Sequence, residues 1–274
     1  MEAGDQTLYR SRSMKNWTLM LFIRSIRTSF AERAAYRGDF FLSFTVSFLL
    51  ELVTPLVTLL VYRSGTSFPG WTMEEAMLIQ AIFLLSRGIA FPLFFGMVWV
   101  VFDQAVQGSF EITLLKPRSP LLLTMLRGID IEGLSRLLGG LLLVALTIGN
   151  LPKPSAAGWL AFGFFMPLSV LVLFSFALFM AGSLFVWIGN SRVFELLEAV
   201  LVFSRYPGSI YSKPLEWALA AGLPLSAIAL FPAEALLGRF SAQMFFAVPS
   251  SLAFFALGMF FWKSMIRRYA GGGG

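Results

Sequence analysis

Uninterrupted apolar runs restrict this chain more than any other feature. Residues 40–62, FFLSFTVSFLLELVTPLVTLLVY, hold a single charged side chain, and similar runs recur at 76–101, 133–149, 158–188 and 245–265. The hydrocarbon core of a bilayer is about 30 Å thick, and a helix needs about 20 apolar residues to cross it. A water-soluble fold could not cover so much apolar sequence. Of the 274 residues, 57% are hydrophobic and 13% charged, against about 25% charged in a soluble domain. A membrane β-barrel would instead show short strands of alternating polarity. The expected fold is therefore all-α and embedded in a membrane.

Residues 193–238 are harder to divide, because prolines at 207, 214, 224 and 232 cut the apolar run. One division places a fifth span at 193–212, followed by a broken hairpin that re-enters from the outer leaflet. The other makes 193–213 interfacial and 214–235 the fifth span. Either gives six transmembrane helices, the first division at 40–62, 76–101, 133–149, 158–188, 193–212 and 245–265. Helix breaks at membrane depth are tolerated where protein buries them. Residues 40–268 are expected to form one transmembrane domain. Residues 1–39 read as a basic cytoplasmic tail with an interfacial helix, in which Trp17, Met20, Leu21, Phe22, Ile23 and Ile26 share an apolar face. The AGGGG at 270–274 looks like a linker or tag remnant.

Lys and Arg fix the expected orientation. With both termini in the cytoplasm, fifteen of the 21 lie inside, five outside and Arg87 within a span. In a bacterial cell this is the inner membrane.

The chain has neither Cys nor His, which removes thiol nucleophiles, imidazole bases and the usual zinc sites. No GxxxxGK[ST], GxSxG or HExxH occurs. No enzyme, no bound cofactor and no nucleic-acid partner is expected.

Two charges fall deep in spans, Glu51 and Arg87, each eleven residues from a span end and so about 16 Å from the boundary. A lone charge there costs roughly 2.5–3.5 kcal/mol. Matching depths on adjacent antiparallel helices predict a Glu51–Arg87 pair, serving either as a packing clamp or as a polar point on a gate. Arg127 with Asp130, and Glu132 with Arg136, have the spacing of helical surface pairs.

Between the second and third runs lies GSFEITLLKPRSP (108–120). Gly108 permits a sharp entry. Phe110, Ile112, Leu114 and Leu115 form an apolar ridge rimmed by Glu111, Lys116 and Arg118. Pro117 and Pro120 close the short helix. Such a helix fits a groove on another protein, or rests on lipid.

The order of these features resembles the permease subunit of an ABC-2 type transporter. The similarity rests on the basic interfacial helix, two spans, GSFEITLLKPRSP, two spans, GNSR (189–192), and FSRYPGSIYSKPLEWALAAGLPLSAIALFPAEALLGR (203–239) before the last span. LLKPRSP with FPAEALLG is most similar to the subgroup described as ABC-2 family transporter protein. The resemblance favours the first division of 193–238, with Pro207, Pro214, Pro224 and Pro232 marking an extracellular broken hairpin. It implies that Gly108, Phe110, Glu111, Ile112, Leu114, Leu115, Lys116 and Pro117 form a coupling helix against a separate P-loop ATPase, which holds ATP and Mg. It also implies a second permease, identical or different, and outward movement of an amphipathic small molecule or lipid-like cargo. The competing readings are a secondary transporter, for which Glu51 would be the coupling carboxylate, and a non-transporting assembly subunit.

Overall fold

A computed structural model describes residues 20–31, 36–187 and 192–269. The tail before residue 20, most of the GNSR turn, the glycine-rich end and the Glu132 side chain lie outside the described residues. Every regular element among the described residues is helical.

Helix α1 covers 20–31. It lies against the loop at residues 128–130, where the Ser29 hydroxyl donates to the Ile129 carbonyl at 3.2 Å. Helix α2 (Arg37–Arg63) and α3 (Met73–Ala90) are joined by a short loop. A capping box starts α3: the Thr72 hydroxyl accepts from the Glu75 amide, and the Glu75 carboxylate accepts from the Thr72 amide at 3.1 Å. Pro92 has no amide hydrogen to give, so the ladder after α3 opens into a π-type turn (Phe91–Phe95) before α4 (Gly96–Val106) resumes.

Two short helices follow, α5 (Phe110–Leu114) and α6 (Pro120–Arg127). Then come α7 (Leu134–Gly149) and α8 (Ala156–Ser183), the latter capped by the Ser155 hydroxyl, which accepts from the Gly158 amide at 3.0 Å. Helix α9 (Arg192–Val202) leads to α10 (Lys213–Trp217), α11 (Leu230–Leu236) and α12 (Met244–Ile266).

Among the described residues four segments are long and apolar enough to cross a membrane: α2, the α3–α4 unit, α8 and α12. Helix α7 is apolar but has 16 residues, about 24 Å of rise. The expected fifth span at 193–212 is not one helix. Helix α9 has 11 residues, about 16 Å, and Pro207 forces Tyr206 into extended backbone (φ −123°, ψ 153°). Single 3₁₀ turns at Phe203–Arg205 and Gly208–Ile210 follow it. The alternative span at 214–235 is not one helix either. It is a hairpin of α10, a π-type turn (Ala218–Gly222), a break at Pro224, a 3₁₀ turn (Leu225–Ala227) and α11. Its first arm is tied to the start of α12, where Gln243 donates to Glu216 at 3.3 Å. Its tip is buried, and the Ile228 carbonyl accepts from Ser86 at 3.1 Å and from Ser169 at 2.8 Å.

Helices α3 and α7 make the most extensive contact in the molecule. Gly88 and Gly140 set it: a Cβ on Gly88 would lie 2.4 Å from the Leu137 backbone, and one on Gly140 would lie 2.5 Å from the Leu85 amide. Helices α8 and α12 form the second pair, with α11 wedged against α8 and α3. Rings of Phe94, Phe174, Phe176 and Phe254 fill the space between them. Helix α2 leans on α3 and α7 with little cover: 11% of its apolar window is buried, against 72% in the α3–α4 unit.

Candidate coupling surface and charge cluster

Gly108 (φ +66°) turns the chain from α4 into α5, a conformation glycine adopts without steric cost. Helix α5 is then held from beneath. Phe110 is fully buried, its ring 4.6 Å from Phe185 and 5.6 Å from Tyr269. Thr113 is buried too; its hydroxyl donates to Gln104 Oε1 at 3.1 Å and accepts from Arg127 at 3.4 Å. The opposite side stands free: Ile112 is 60% exposed, Leu115 85%, and Glu111 and Leu114 are exposed as well. Lys116 is half-buried, and Pro117 is exposed where it ends the segment.

This divides the expected ridge in two. Phe110 is a foot, not a contact, because its ring packs against Phe185 and Tyr269, while Leu114, one turn on at the end of the helix, is past that contact and exposed. Ile112, Leu114 and Leu115, with Glu111, form the free surface.

The charges at membrane depth also regroup. No direct Glu51–Arg87 pair forms. Glu51 accepts from Arg136 at 2.7 Å, and Arg87 pairs with Glu198 at 3.2 Å. Glu51 lies near enough to act electrostatically on Arg87, but the rotation of α3 points Arg87 toward α9. The close glycine contact brings Arg136 of α7 up to Glu51 instead. The guanidinium of Arg136 sits 3.9 Å over the Phe91 ring, and Arg87 lies 4.8 Å from the same ring. Arg205 caps the group, donating to the Thr54 hydroxyl at 2.9 Å and lying 4.8 Å over Phe83. Arg136, Glu198 and Arg205 were not foreseen as members. The signal for Glu198 was an unpartnered carboxylate inside an apolar run. Arg136 was hidden by its spacing from Glu132, which suggested a surface pair.

Of the hairpin prolines, Pro207, Pro224 and Pro232 are buried and Pro214 is exposed at the start of α10. Near the far end of α11, burial pushes the Glu234 carboxyl up to about 7, opposed by nearby Arg239. Arg239 itself pairs with Glu75 and lies 5.0 Å from the Trp71 ring. Among the described residues no three Asp or Glu side chains gather as a metal site requires. An apolar hollow of about 350 Å³ lies between α1, the Pro92 turn, α6 and α8, lined by Phe22, Phe94, Met125 and Phe174 among others.

A family model described as ABC-2 family transporter protein matches residues 48–273. Neither the curated proteins nor the solved structures contain a match to the chain.

Proposed function

Since the chain belongs to the ABC-2 family transporter proteins, we propose that it is the permease of an exporter that takes its energy from a separate ATPase through α5. Members of this family are membrane permeases that generally work with ATPase partners, and this chain has no P-loop of its own. One observation carries the coupling reading. The sequence exposes Ile112, Leu114 and Leu115 on a helix of five residues whose other side is bolted to the bundle by Phe110 and Thr113. A rigidly footed apolar knob can pass a push from a groove into α4 and α6. The partner would hold ATP and Mg.

The six-span topology belongs to the same proposal. Helix α9 and its 3₁₀ continuation make the fifth crossing, and the α10–α11 hairpin dips in from the outer leaflet without crossing. The Lys and Arg bias puts α5 and both termini in the cytoplasm. A second permease, identical or different, completes the transporting unit. The cargo is amphipathic or lipid-like, which suits the apolar hollow beside α1, and it moves outward. A secondary carrier is less well supported, because Glu51, its candidate coupling carboxylate, is tied to Arg136 at 2.7 Å.

Mild extraction of the tagged chain from its native membrane, with mass spectrometry of what accompanies it, tests the coupling. A P-loop ATPase should accompany the wild type and the surface control Phe240→Asp, and be lost from Leu115→Asp and Ile112→Asp. If no ATPase accompanies the wild type, or if the α5 variants keep it, the proposal fails.

A further inference from the structure

The five charges between α2, α3, α7 and α9 do not balance. Arg87, Arg136 and Arg205 face Glu51 and Glu198, and all four others lie close enough to act electrostatically on Arg87. Three cations against two carboxylates leave one positive charge among the described residues. The level is about 20 Å from the ends of α2, α3 and α7 that carry the short loops, at ~1.5 Å per residue. An unbalanced charge at that depth is costly and marks function unless a partner supplies the missing anion.

Donors remain unused as well. The Nε–H groups of Arg87 and Arg205 are buried with no hydrogen-bond partner among the described residues. Arg205 has a hydroxyl and a ring as described partners, but no carboxylate. The group is not sealed: about a fifth of the Arg136 and Glu51 side chains and 24% of Glu198 remain exposed. Helices α2 and α9 barely touch, and among the described residues the chain closes over one end of the seam, where Ser209 donates to the Pro69 carbonyl at 2.7 Å and Tyr206 meets Phe68. The walls beside the charges are the Phe83 and Phe91 rings.

We propose that this seam binds the single acidic group, phosphate or carboxylate, of an amphipathic molecule whose apolar part lies along α2 in the bilayer. The inference rests on the permease reading and names the charge of its cargo. Guanidinium forks suit both anions and bind them as charge-assisted pairs. Glu51 and Glu198 hold Arg136 and Arg87 in place, which leaves Arg205 to take one acidic group. The exposed α2 residues Leu50 and Val57, one turn to either side of Thr54, provide apolar surface beside it.

The test uses the full chain in dodecyl maltoside, with unfolding followed by Trp fluorescence. Methyl dodecyl phosphate, a phosphodiester with a single negative charge, laurate and dodecylphosphocholine share one chain length and differ in head charge at pH 8. Each is added at increasing mole fraction, and phosphatidylglycerol is added separately to ask whether an ordinary anionic lipid suffices. The two monoanions should stabilise the wild type with half-maximal effect at about tenfold lower mole fraction than dodecylphosphocholine, the factor expected of one charge-assisted contact. Arg205→Gln should lose that preference, and Arg63→Gln, at the exposed end of α2, should keep it. Glu198→Gln, which frees Arg87, should strengthen it. This opposite response separates binding from mere loss of structure, because a structural role would weaken both variants. Equal effects of the three amphiphiles on the wild type would overturn the proposal. So would an unchanged preference in Arg205→Gln, or a weakened one in Glu198→Gln. So would self-association of the wild type that Arg205→Gln abolishes without altering amphiphile preference, which would mean that a second chain supplies the anion. No ATPase enters this measurement, so its failure beside successful ATPase capture removes the anion site alone, and the reverse pattern removes the permease reading.

Discussion

Replacing Gly88 by Ala probes the contact on which the rest of the arrangement hangs. The added methyl would sit 2.4 Å from the Leu137 N and Cα and 2.8 Å from the Arg136 carbonyl carbon, where ordinary contact begins at 3.4 Å. These are backbone atoms, so no rotamer change relieves the clash and α7 must withdraw by about 1 Å, a gap that forfeits a quarter to a half of each dispersion contact along the seam. Overpacking a well-packed site costs about 1–3 kcal/mol, and the rigid neighbours place this one at the upper end. Arg136 travels with α7, so its 2.7 Å contact with Glu51 must stretch unless the loosely held α2 follows. Gly163 of α8 is the control: nothing lies within 4 Å of its added Cβ, and Ala should gain up to about 1 kcal/mol there from helix propensity. In detergent, melts followed by the seven Trp should show Gly88→Ala lowered by roughly 6–12 °C, using about 2–4 °C per kcal/mol, and Gly163→Ala unchanged or raised. Gly140→Ala meets Leu85 from the other side at 2.5 Å and should cost a similar amount. The double variant should cost less than the two together, because the first methyl has already parted the helices. If Gly88→Ala melts with the wild type, or if the two losses add in full, the close α3–α7 contact is not as described.

Other substitutions address single elements. Phe110→Ala should lower stability by about 3–5 kcal/mol, as loss of a buried ring does, while Leu115→Ala should stay within about 0.5 kcal/mol; thermal melts separate them, and equal losses would refute the division of α5 into foot and knob. Glu51→Gln should destabilise by up to about 3 kcal/mol, at the low end for a buried pair because a fifth of each side chain is exposed. The double exchange Glu51→Arg with Arg136→Glu should recover part of that loss, whereas exchange of Glu51 with Arg87 should recover none. Glu234 gives a pH signature. Its carboxyl titrates near 7 in the fold and near 4.5 when unfolded, so the buried neutral form favours folding below 4.5 and that advantage is lost as pH rises toward 7. Above 7 the buried charge should cost about 3 kcal/mol, at 1.36 kcal/mol per pKa unit. Glu234→Gln should therefore raise the melting temperature at pH 8.5 and leave it unchanged at pH 4.5; an equal gain at both would refute the assignment.

What the sequence made legible divides along a physical line. Helix existence and length follow from one-dimensional properties, so 40–62, 158–188 and 245–265 correspond closely to α2, α8 and α12. Proline breaks are local too, which is why the cuts at 207 and 224 were visible before the hairpin they produce. The rotation of each helix about its axis is not local. Glu51 and Arg87 sit at matching depths, yet their partners were decided by the azimuth of α3 and by the backbone contact that two glycines allow. Neither quantity appears in a hydropathy pattern. The same limit hid the buried side of α5: its alternation of apolar residues shows that two surfaces exist, but only Phe185 and Tyr269, some 75 and 159 residues further along, determine which of them is spent on the bundle. Helix α9 shows how the two kinds of information combine. Its run is too short to cross a bilayer and carries Glu195, Glu198 and, just beyond it, Arg205. Read alone, that is a poor span. Set beside α3, Glu198 and Arg205 meet the arginine and the phenyl rings that make their depth tolerable. Helix α9 and the turn that follows it thus supply two of the five charges of the seam, which a uniformly apolar segment could not carry.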